Sequence, residues 1–270
     1  MEMDAVQKRV AKRTATWVIC LFAVLFIGIE ALSAQTGKKD VRITWERVLM
    51  DTLAFPQASP QIQAIYERYT PQLRAEMGAV VGYTTQEMRS YGPESPLSNF
   101  AADALFSIAR RKYGDDGVDF AFTNFGGLRS PFPKGNVTLY DVFSTFPFEN
   151  ALVIVSLKGS HVRQLFEAFA KARPEAVSNV RFAIADRQIA SLTINGAPLD
   201  ENRIYKIATI DFLLSGGDKV TALKDNEHVE FTGITIRDVV LQYIETFTSH
   251  GEPIPSKEDG RVVTDNTQQR

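Results

Sequence analysis

The first group of residues that could bind a ligand follows a predicted strand at residues 118–123. Asn124, Gly126, Gly127 and Arg129 lie close together in the next stretch of chain. The two glycines permit positive φ angles and a close approach of the backbone to a ligand. The Asn124 amide can donate and accept hydrogen bonds, and the planar Arg129 guanidinium suits a phosphate or carboxylate. This loop therefore predicts an anion site, although an ordinary turn with a solvated arginine fits the spacing equally well.

Two phenylalanines, Phe146 and Phe148, flank Pro147 just before an apolar run at residues 151–157. Two large rings on either side of a proline are difficult to bury together in one loop. We therefore expect one ring to face a cleft, where it could stack on a flat ligand ring. The alternative is that both rings pack in the core.

A third group combines an aromatic ring with an acid across a glycine turn. Phe212 lies six residues before Asp218, and Gly216 and Gly217 lie between them. A carboxylate in such a turn can accept two hydrogen bonds from vicinal hydroxyls, as an acidic residue does on a ribose. The alternative is a purely structural turn, in which Asp218 caps backbone N–H groups.

The histidines do not predict a metal centre. A two-metal phosphoesterase site needs several histidine and carboxylate ligands that converge on both ions. His161 begins a predicted helix, His228 falls in a predicted charged turn, and His250 lies in a terminal loop. None has a partner at metal-ligand spacing, and the chain has no Gly-x-Ser-x-Gly nucleophile elbow. We therefore expect neither a metal nor a catalytic site in this chain.

The elements that must position these residues alternate between helices and strands. Apolar residues at three- and four-residue spacing indicate helices, and short apolar runs or strict alternation indicate strands. The predicted helices span 59–77, a stretch capped by Ser95 or Ser98, 139–144, 160–172 and 234–247; the predicted strands span 79–83, 118–123, 151–157 and 205–210, with a hairpin at 181–194. Because the two types alternate without one long parallel series, we expect an α/β fold, a mixed-sheet α/β sandwich.

The N-terminal residues are typical of an export signal. Four basic residues between positions 8 and 13 precede a 13-residue apolar run, shorter than the roughly 20 residues of a membrane span. Small residues follow up to Ala34, which predicts a cleaved signal peptide at 1–34 and a periplasmic or extracellular location, with no stable membrane span after cleavage. An uncleaved anchor is the alternative. We expect a leader at 35–58, one domain at 59–265 and a disordered tail at 266–270.

The overall charge excludes one class of partner. The chain carries 30 basic and 32 acidic residues, a net charge of −2. Nucleic-acid-binding domains usually carry a clear excess of basic residues. We therefore expect no nucleic-acid partner.

In order and spacing, these groups resemble one known family. The resemblance is carried by residues 95–104, 124–129, 147–150, 157–160, 196–200 and 205–218. Over roughly residues 62–263 the chain resembles the C-terminal, substrate-binding domain of 5'-nucleotidases, without the N-terminal metallophosphoesterase domain. The resemblance implies that Phe148 and Phe212 sandwich the base, that Asp218 holds the ribose hydroxyls, and that Asn124 and Arg129 lie at the sugar and phosphate end. The expected substrate-binding residues are Asn124, Gly126, Gly127, Arg129, Phe148, Phe212, Gly217 and Asp218.

Departures from the family pattern concern the phosphate end. Family members often carry an arginine before the segment that leads into the Asn99 helix, and here that place holds Pro93. The nearest candidate is Arg89, which we add to the expected set. Ser98 replaces a glycine that usually precedes the position of Asn99.

These features predict the recognition domain of a split 5'-nucleotidase. In that arrangement, a separate metallophosphoesterase subunit carries two divalent metals and hydrolyses the nucleoside 5'-monophosphate bound here. One alternative is a stand-alone exported nucleoside-binding protein without hydrolase activity. Another is a degenerate interaction module whose aromatic rings have collapsed into the core. Arg129 favours the first, because a guanidinium has no evident use for a neutral nucleoside.

Overall fold

The computed structural model of this protein describes residues 59–255 and 257–265. All of these except Ser59 fall in one compact unit. The predicted signal peptide at 1–34, leader at 35–58 and tail at 266–270 lie outside the described residues. Among the described residues, no helix combines the length and apolar character that a membrane crossing requires.

Six α-helices and eleven strands make up the regular structure of the described residues. The helices are α1 (Pro60–Met77), α2 (Pro96–Tyr113), α3 (Leu139–Thr145), α4 (Gly159–Lys171), α5 (Asp211–Leu214) and α6 (Ile236–Thr248). The strands are β1 (Val80–Thr84), β2 (Phe120–Thr123), β3 (Gly135–Thr138), β4 (Ala151–Lys158), β5 (Ala176–Ser178), β6 (Val180–Ala185), β7 (Gln188–Ile194), β8 (Ala197–Pro198), β9 (Ile204–Ile210), β10 (His228–Thr235) and β11 (Val262–Thr264). The mixed α/β fold expected from the sequence is confirmed.

The central sheet has five strands in the order β10-β4-β9-β2-β5. Strands β2 and β9 run parallel, whereas β4 is antiparallel to both of its neighbours and β5 is antiparallel to β2. The core strand β4 is almost wholly buried. Because the apolar residues of β2, β4 and β9 pack on both faces, their short apolar runs were readable from the sequence.

One prediction about this sheet is wrong. His228 does not lie in a turn but begins β10, which pairs with β4 from His228↔Ser156 to Thr235↔Ala151. This strand is at the edge of the sheet, and none of its residues is fully buried. Residues 229–232 alternate between apolar and polar, as in a strand, but the charged residues just before His228 favoured the prediction of a turn.

Two smaller sheets complete the architecture. Strands β1 and β3 form an antiparallel pair, and β11, β6, β7 and β8 form a four-stranded sheet. The predicted hairpin is confirmed as β6 and β7, which join through Asp186 and Arg187 at φ values of 51° and 59°. Positive φ at both turn residues matches the right-handed twist of the flanking strands.

Helix α2 shows how local signals produced a correct prediction. The Ser95 side chain accepts a hydrogen bond from the Ser98 N–H, and the Ser98 hydroxyl accepts one from the Ser95 N–H. This reciprocal capping satisfies two donors that the helix itself leaves free. The apolar face of α2, which includes Phe100, Leu105 and Ile108, is buried in the main core.

Helix α1 behaves differently, although its predicted bounds are confirmed. It has no buried residue, and its apolar positions Ile62, Ile65, Tyr66, Tyr69 and Leu73 are each more than half exposed. The helix contacts the short helix α3. An amphipathic pattern thus predicted the helix correctly but did not determine where its apolar face lies.

Candidate functional site

One edge of the central sheet collects the residues singled out from the sequence. Because β4 is antiparallel to β9, the first residues of β4 lie beside the last residues of β9, with Leu152 opposite Ile210. Strand β2 is parallel to β9 and ends on the same edge, and β5 begins there opposite Thr123. We call this the site edge. It brings together the 124–129 loop, the residues just before β4 and those just after β9.

The loop after β2 is tied to the turn after β9 by a side-chain hydrogen bond. Asn124 is buried, and its Nδ2 donates to the carboxylate of Asp218. Its Oδ1 is buried and has no hydrogen-bond partner in the described part of the chain. Asp218 sits at φ 49°, so its backbone is held in the left-handed region. The structure therefore assigns Asp218 a side-chain partner, where the alternative from sequence had it capping backbone N–H groups.

The two glycines of this loop are required by close packing. A Cβ on Gly126 would lie 3.1 Å from Asp218 Oδ2, and one on Gly127 would lie 2.9 Å from Asn124 Oδ1. Neither glycine has a positive φ. The requirement is therefore space beside the Asn124–Asp218 pair, which a side chain at either position would crowd.

The two candidate arginines differ in what they contact. Arg129 is exposed and its backbone N–H donates to the Thr145 carbonyl, but its guanidinium has no hydrogen bond or ion pair with the described residues. Arg89 is also exposed, and its guanidinium donates to both oxygens of Glu87 at 2.7 and 2.9 Å. Arg129 is thus available to an anion, whereas Arg89 would first have to leave Glu87.

Residues 146–150, the first aromatic segment, contain one buried and one exposed ring. Phe146 packs in the core, and Phe148 is 47% exposed. The segment is held by Arg237, which donates to the carbonyls of Phe146 and Pro147 at 3.4 and 3.2 Å and to Glu149 at 2.9 Å. The Arg237 side chain, itself only 13% exposed, therefore fixes the loop that carries the Phe148 ring.

Residues 211–218, the second aromatic segment, present Phe212, which is 42% exposed. Its ring lies against Gly217, where a Cβ would come within 2.6 Å of the ring Cδ1 and of the Phe212 carbonyl oxygen. Asp211 Oδ1 accepts hydrogen bonds from the N–H groups of Phe212 and Ala151, at 2.8 and 3.1 Å. Asp211 therefore ties the two aromatic segments together across β9 and β4.

A partly buried carboxyl group lies close to Asp218 of the second aromatic segment. Glu175, just before β5, accepts a hydrogen bond from the Phe125 N–H at 2.7 Å. Burial raises the pKa of Glu175 to about 7, and the neighbouring Asp218 carboxylate adds to the rise; the Phe125 hydrogen bond and Arg173 oppose it. Arg173 also lies over the Phe125 ring, 4.5 Å from its centre. Near neutral pH, Glu175 can therefore donate a hydrogen bond as well as accept one.

The sequence alone did not indicate roles for Arg237, Asp211 and Glu175. Each acts through a partner that is distant in sequence, so spacing carried no signal for them. Asp211 came closest to detection, because it directly follows a strand and precedes Phe212. In residues 59–255 and 257–265, no group of three or more His, Cys, Asp or Glu side chains is arranged to hold a metal ion.

Taken together, the site edge offers two exposed aromatic rings, the Asp218 carboxylate and the Arg129 guanidinium, which has no hydrogen bond or ion pair with the described residues. The two rings make no direct contact with each other among the described residues. Flat rings stack on exposed aromatic faces, and the polar groups suit hydroxyls and an anion. The edge is therefore chemically equipped for binding, and no metal ligand set accompanies it in the described residues.

Comparison with known proteins places this arrangement in a family. The profile described as "5'-nucleotidase, C-terminal domain" matches residues 80–225. Protein UshA of Escherichia coli strain K12 is 30% identical over 212 residues, which are 76% of this chain and 38% of that protein. Protein UshA of Yersinia enterocolitica is 34% identical over 134 residues, 48% of this chain and 24% of that protein. The chain thus spans well under half the length of these relatives.

A solved structure agrees on the fold. The 5'-nucleotidase precursor from Thermus thermophilus superposes with a TM-score of 0.66 at 24% identity, over 76% of this chain and 43% of that one. The family profile covers the strands β1 to β9 and with them the site edge. Since the profile matches more than half of the chain, the chain belongs to the 5'-nucleotidase family and carries its C-terminal domain.

Proposed function

We propose that the site edge binds the nucleoside part of a nucleoside 5'-monophosphate. In this proposal the base stacks between Phe148 and Phe212, and Asp218 and Asn124 hold the ribose. The observation that carries it is the meeting of two exposed rings with a carboxylate at one sheet edge. Most phenylalanines in the described part of the chain are buried, so exposure of both rings at one edge is selective.

Stacking supplies the main part of the expected affinity. Base–aromatic stacking is worth about 1–3 kcal/mol per base in sites that bind single-stranded nucleic acids. Such stacking tolerates any flat ring and leaves base preference to hydrogen bonds. The interaction-module alternative required both rings to lie in the core, and the exposure of Phe148 and Phe212 argues against it.

The proposed ribose contacts are supported by the pairing of Asn124 with Asp218. Asn124 occupies one oxygen of the Asp218 carboxylate and so holds that side chain in place. The remaining acceptor capacity of Asp218 suits vicinal hydroxyls. Gly126 and Gly127 leave room beside this pair, and Gly217 leaves room for the Phe212 ring.

The phosphate end is assigned to Arg129, whose guanidinium is free of protein partners in the described part of the chain. A charge-assisted hydrogen bond to phosphate adds affinity for AMP over adenosine. We propose that hydrolysis requires a separate metallophosphoesterase chain that supplies two divalent metals. Export to a periplasmic or extracellular location, predicted from residues 1–34, remains part of this proposal.

Calorimetry with adenosine and AMP tests the binding proposal. We expect both ligands to bind, AMP more tightly, and an Arg129→Gln variant to bind them equally. Equal affinity for both ligands in the unaltered protein would instead favour the stand-alone nucleoside-binding protein. Absence of binding by both ligands would contradict the proposed site.

Phosphate release tests the split-enzyme part. A candidate metallophosphoesterase is assayed with AMP and divalent metal, with and without this chain. We expect turnover to rise when this chain is added, and the rise to disappear with Phe148→Ala/Phe212→Ala. Turnover that is unchanged by the unaltered chain would refute the pairing.

A further inference from the structure

A second cavity adjoins the proposed nucleoside site but is not part of it. It has a volume of about 410 Å³ and lies between helix α4 and residues 217–225. We call it the α4 pocket. Leu165, Ala168 and Phe169 of α4, with Val220 and Ala222, form its apolar surface. The cavity is large enough to hold a small organic group rather than a few water molecules.

The α4 pocket shares a wall with the site edge. Asp218, proposed to hold the ribose, also lines this pocket, and Glu175 lines it beside Asp218. The Asn124 amide donates to Asp218 and the Phe125 N–H donates to Glu175, so two adjacent residues of one loop hold both carboxyl groups. A group bound in the pocket would therefore be next to the hydroxyls bound by Asp218.

Three cations surround this pocket without an ion-pair partner. Arg173, Lys219 and Lys224 all line it, and none forms a salt bridge with the residues that the structure describes. Lys224 leans over the glycine turn, where a Cβ on Gly216 would lie 3.2 Å from its Nζ. Arg173, Lys219 and Lys224 thus place three positive charges at one cavity, which favours an anionic ligand.

The acids of the pocket refine the class of ligand. Asp218, Glu175 and Asp225 line the same cavity, and a bare phosphate would meet their repulsion as well as the attraction of the cations. Carboxylates accept hydrogen bonds from hydroxyls, and the Thr221 side chain adds a neutral donor and acceptor. A group that carries hydroxyls and a phosphate together satisfies both kinds of side chain.

We propose that the α4 pocket is a second subsite, which binds a phosphorylated sugar next to the group held by Asp218. Arg173, Lys219 and Lys224 contact the phosphate, and the carboxyl groups contact the sugar hydroxyls. The same chemistry is offered by a free sugar phosphate and by a phosphate on the 2'- or 3'-hydroxyl side of a bound nucleoside. Only the phosphorylated nucleoside rests on the proposed function, because its ribose would be held by Asp218, the residue that the two sites share.

Calorimetry on the full chain with four probes separates these cases. The probes are adenosine, AMP, adenosine 3'-monophosphate and ribose 5-phosphate. The test variant is Lys219→Gln/Lys224→Gln, which keeps the side-chain stems and removes two charges. The matched control is Lys158→Gln, because Lys158 is exposed at the far end of β4 from the site edge. Phe212→Ala serves as the variant that removes stacking.

We expect the Lys219→Gln/Lys224→Gln variant to bind adenosine 3'-monophosphate and ribose 5-phosphate more weakly by roughly tenfold or more. Its affinity for adenosine should fall by less than twofold. Lys158→Gln should change none of these affinities. The Phe212→Ala variant should still bind ribose 5-phosphate. If the double variant binds both phosphorylated sugars as the unaltered chain does, the pocket proposal is wrong. If adenosine and AMP fail to bind while ribose 5-phosphate binds through the two lysines, the nucleoside proposal fails and the pocket proposal stands for the free sugar phosphate.

Discussion

The two aromatic segments present similar rings by different means. Phe148 lies on a loop held from outside by Arg237, which reaches across from helix α6. Phe212 lies on a short helix and turn that hold the ring from within, through Asp211 and the closely packed Gly217. The first segment is thus held by a side chain from another helix, and the ring of the second by contacts within its own segment. The difference shows that exposure of a ring at a site can rest on long-range or on local interactions.

The largest expected effect comes from removing the rings themselves. We expect Phe148→Ala and Phe212→Ala each to weaken adenosine binding by about 1–3 kcal/mol, because each removes one stacking surface. Both rings are nearly half exposed, so the melting temperature should fall little. Calorimetry and thermal melting measure the two quantities. Phe231→Ala, at a 68% exposed ring on β10, is the control that should leave binding unchanged. A large loss of stability with unchanged affinity would place the altered ring in a structural role.

The next largest effect is expected from replacing Arg237, whose hydrogen bonds hold the first aromatic segment. Arg237→Gln removes hydrogen bonds to two backbone carbonyls, and we expect a loss of about 1–2 kcal/mol in the free energy of unfolding. Adenosine affinity should fall about fivefold, because Phe148 is no longer held. Glu149→Gln is the control: it removes only the ion pair, whose acid is 83% exposed, and should cost less than about 0.5 kcal/mol. Equal effects of the two variants would mean that the carbonyl contacts do not position the segment.

The internal support of the second segment can be tested at Gly217. A Cβ there would overlap the Phe212 ring, so Gly217→Ala should displace the ring and weaken adenosine binding by roughly threefold to fivefold. In a Phe212→Ala background the same change should have a smaller effect on affinity, because only the close approach to the carbonyl oxygen of residue 212 remains. The interaction between the two changes in a double-mutant cycle measures the contact. Additive losses would show that Gly217 does not act through the ring.

The last expected effect is on stability alone and follows the protonation of Glu175. The pKa of Glu175 is raised to about 7 by burial, against an ordinary value near 4.5, so folding favours its protonated form. Its contribution to stability is fully present below about pH 4.5 and is lost as pH rises through about 7. Glu175→Gln should therefore gain stability relative to the unaltered protein between pH 5 and 8, by about 1 kcal/mol. Urea unfolding across this range measures the gain. A flat difference for Glu175→Gln would contradict the raised pKa.

Prediction from sequence succeeded where neighbouring residues determine the structure. The capping box at Ser95 and Ser98, the buried face of α2 and the hairpin at Asp186–Arg187 were all readable from local patterns. The edge strand β10 was missed although residues 229–232 alternate, because the charged residues before it favoured a turn. The apolar face of α1 was predicted as a pattern, but its exposure depends on packing that periodicity does not encode.

The sequence alone determined which residue types follow which strand: an amide and an arginine after β2, two phenylalanines before β4, and an aromatic and an acid after β9. Only the tertiary structure decided that these three strand ends share one edge, since strand order and direction depend on long-range pairing. It also decided that Phe146 is buried while Phe148 is exposed, and that Asn124 contacts Asp218 across 94 residues of chain. Local preferences act through the nearest neighbours along the backbone, whereas a site is made of side chains that meet only after the sheet has formed.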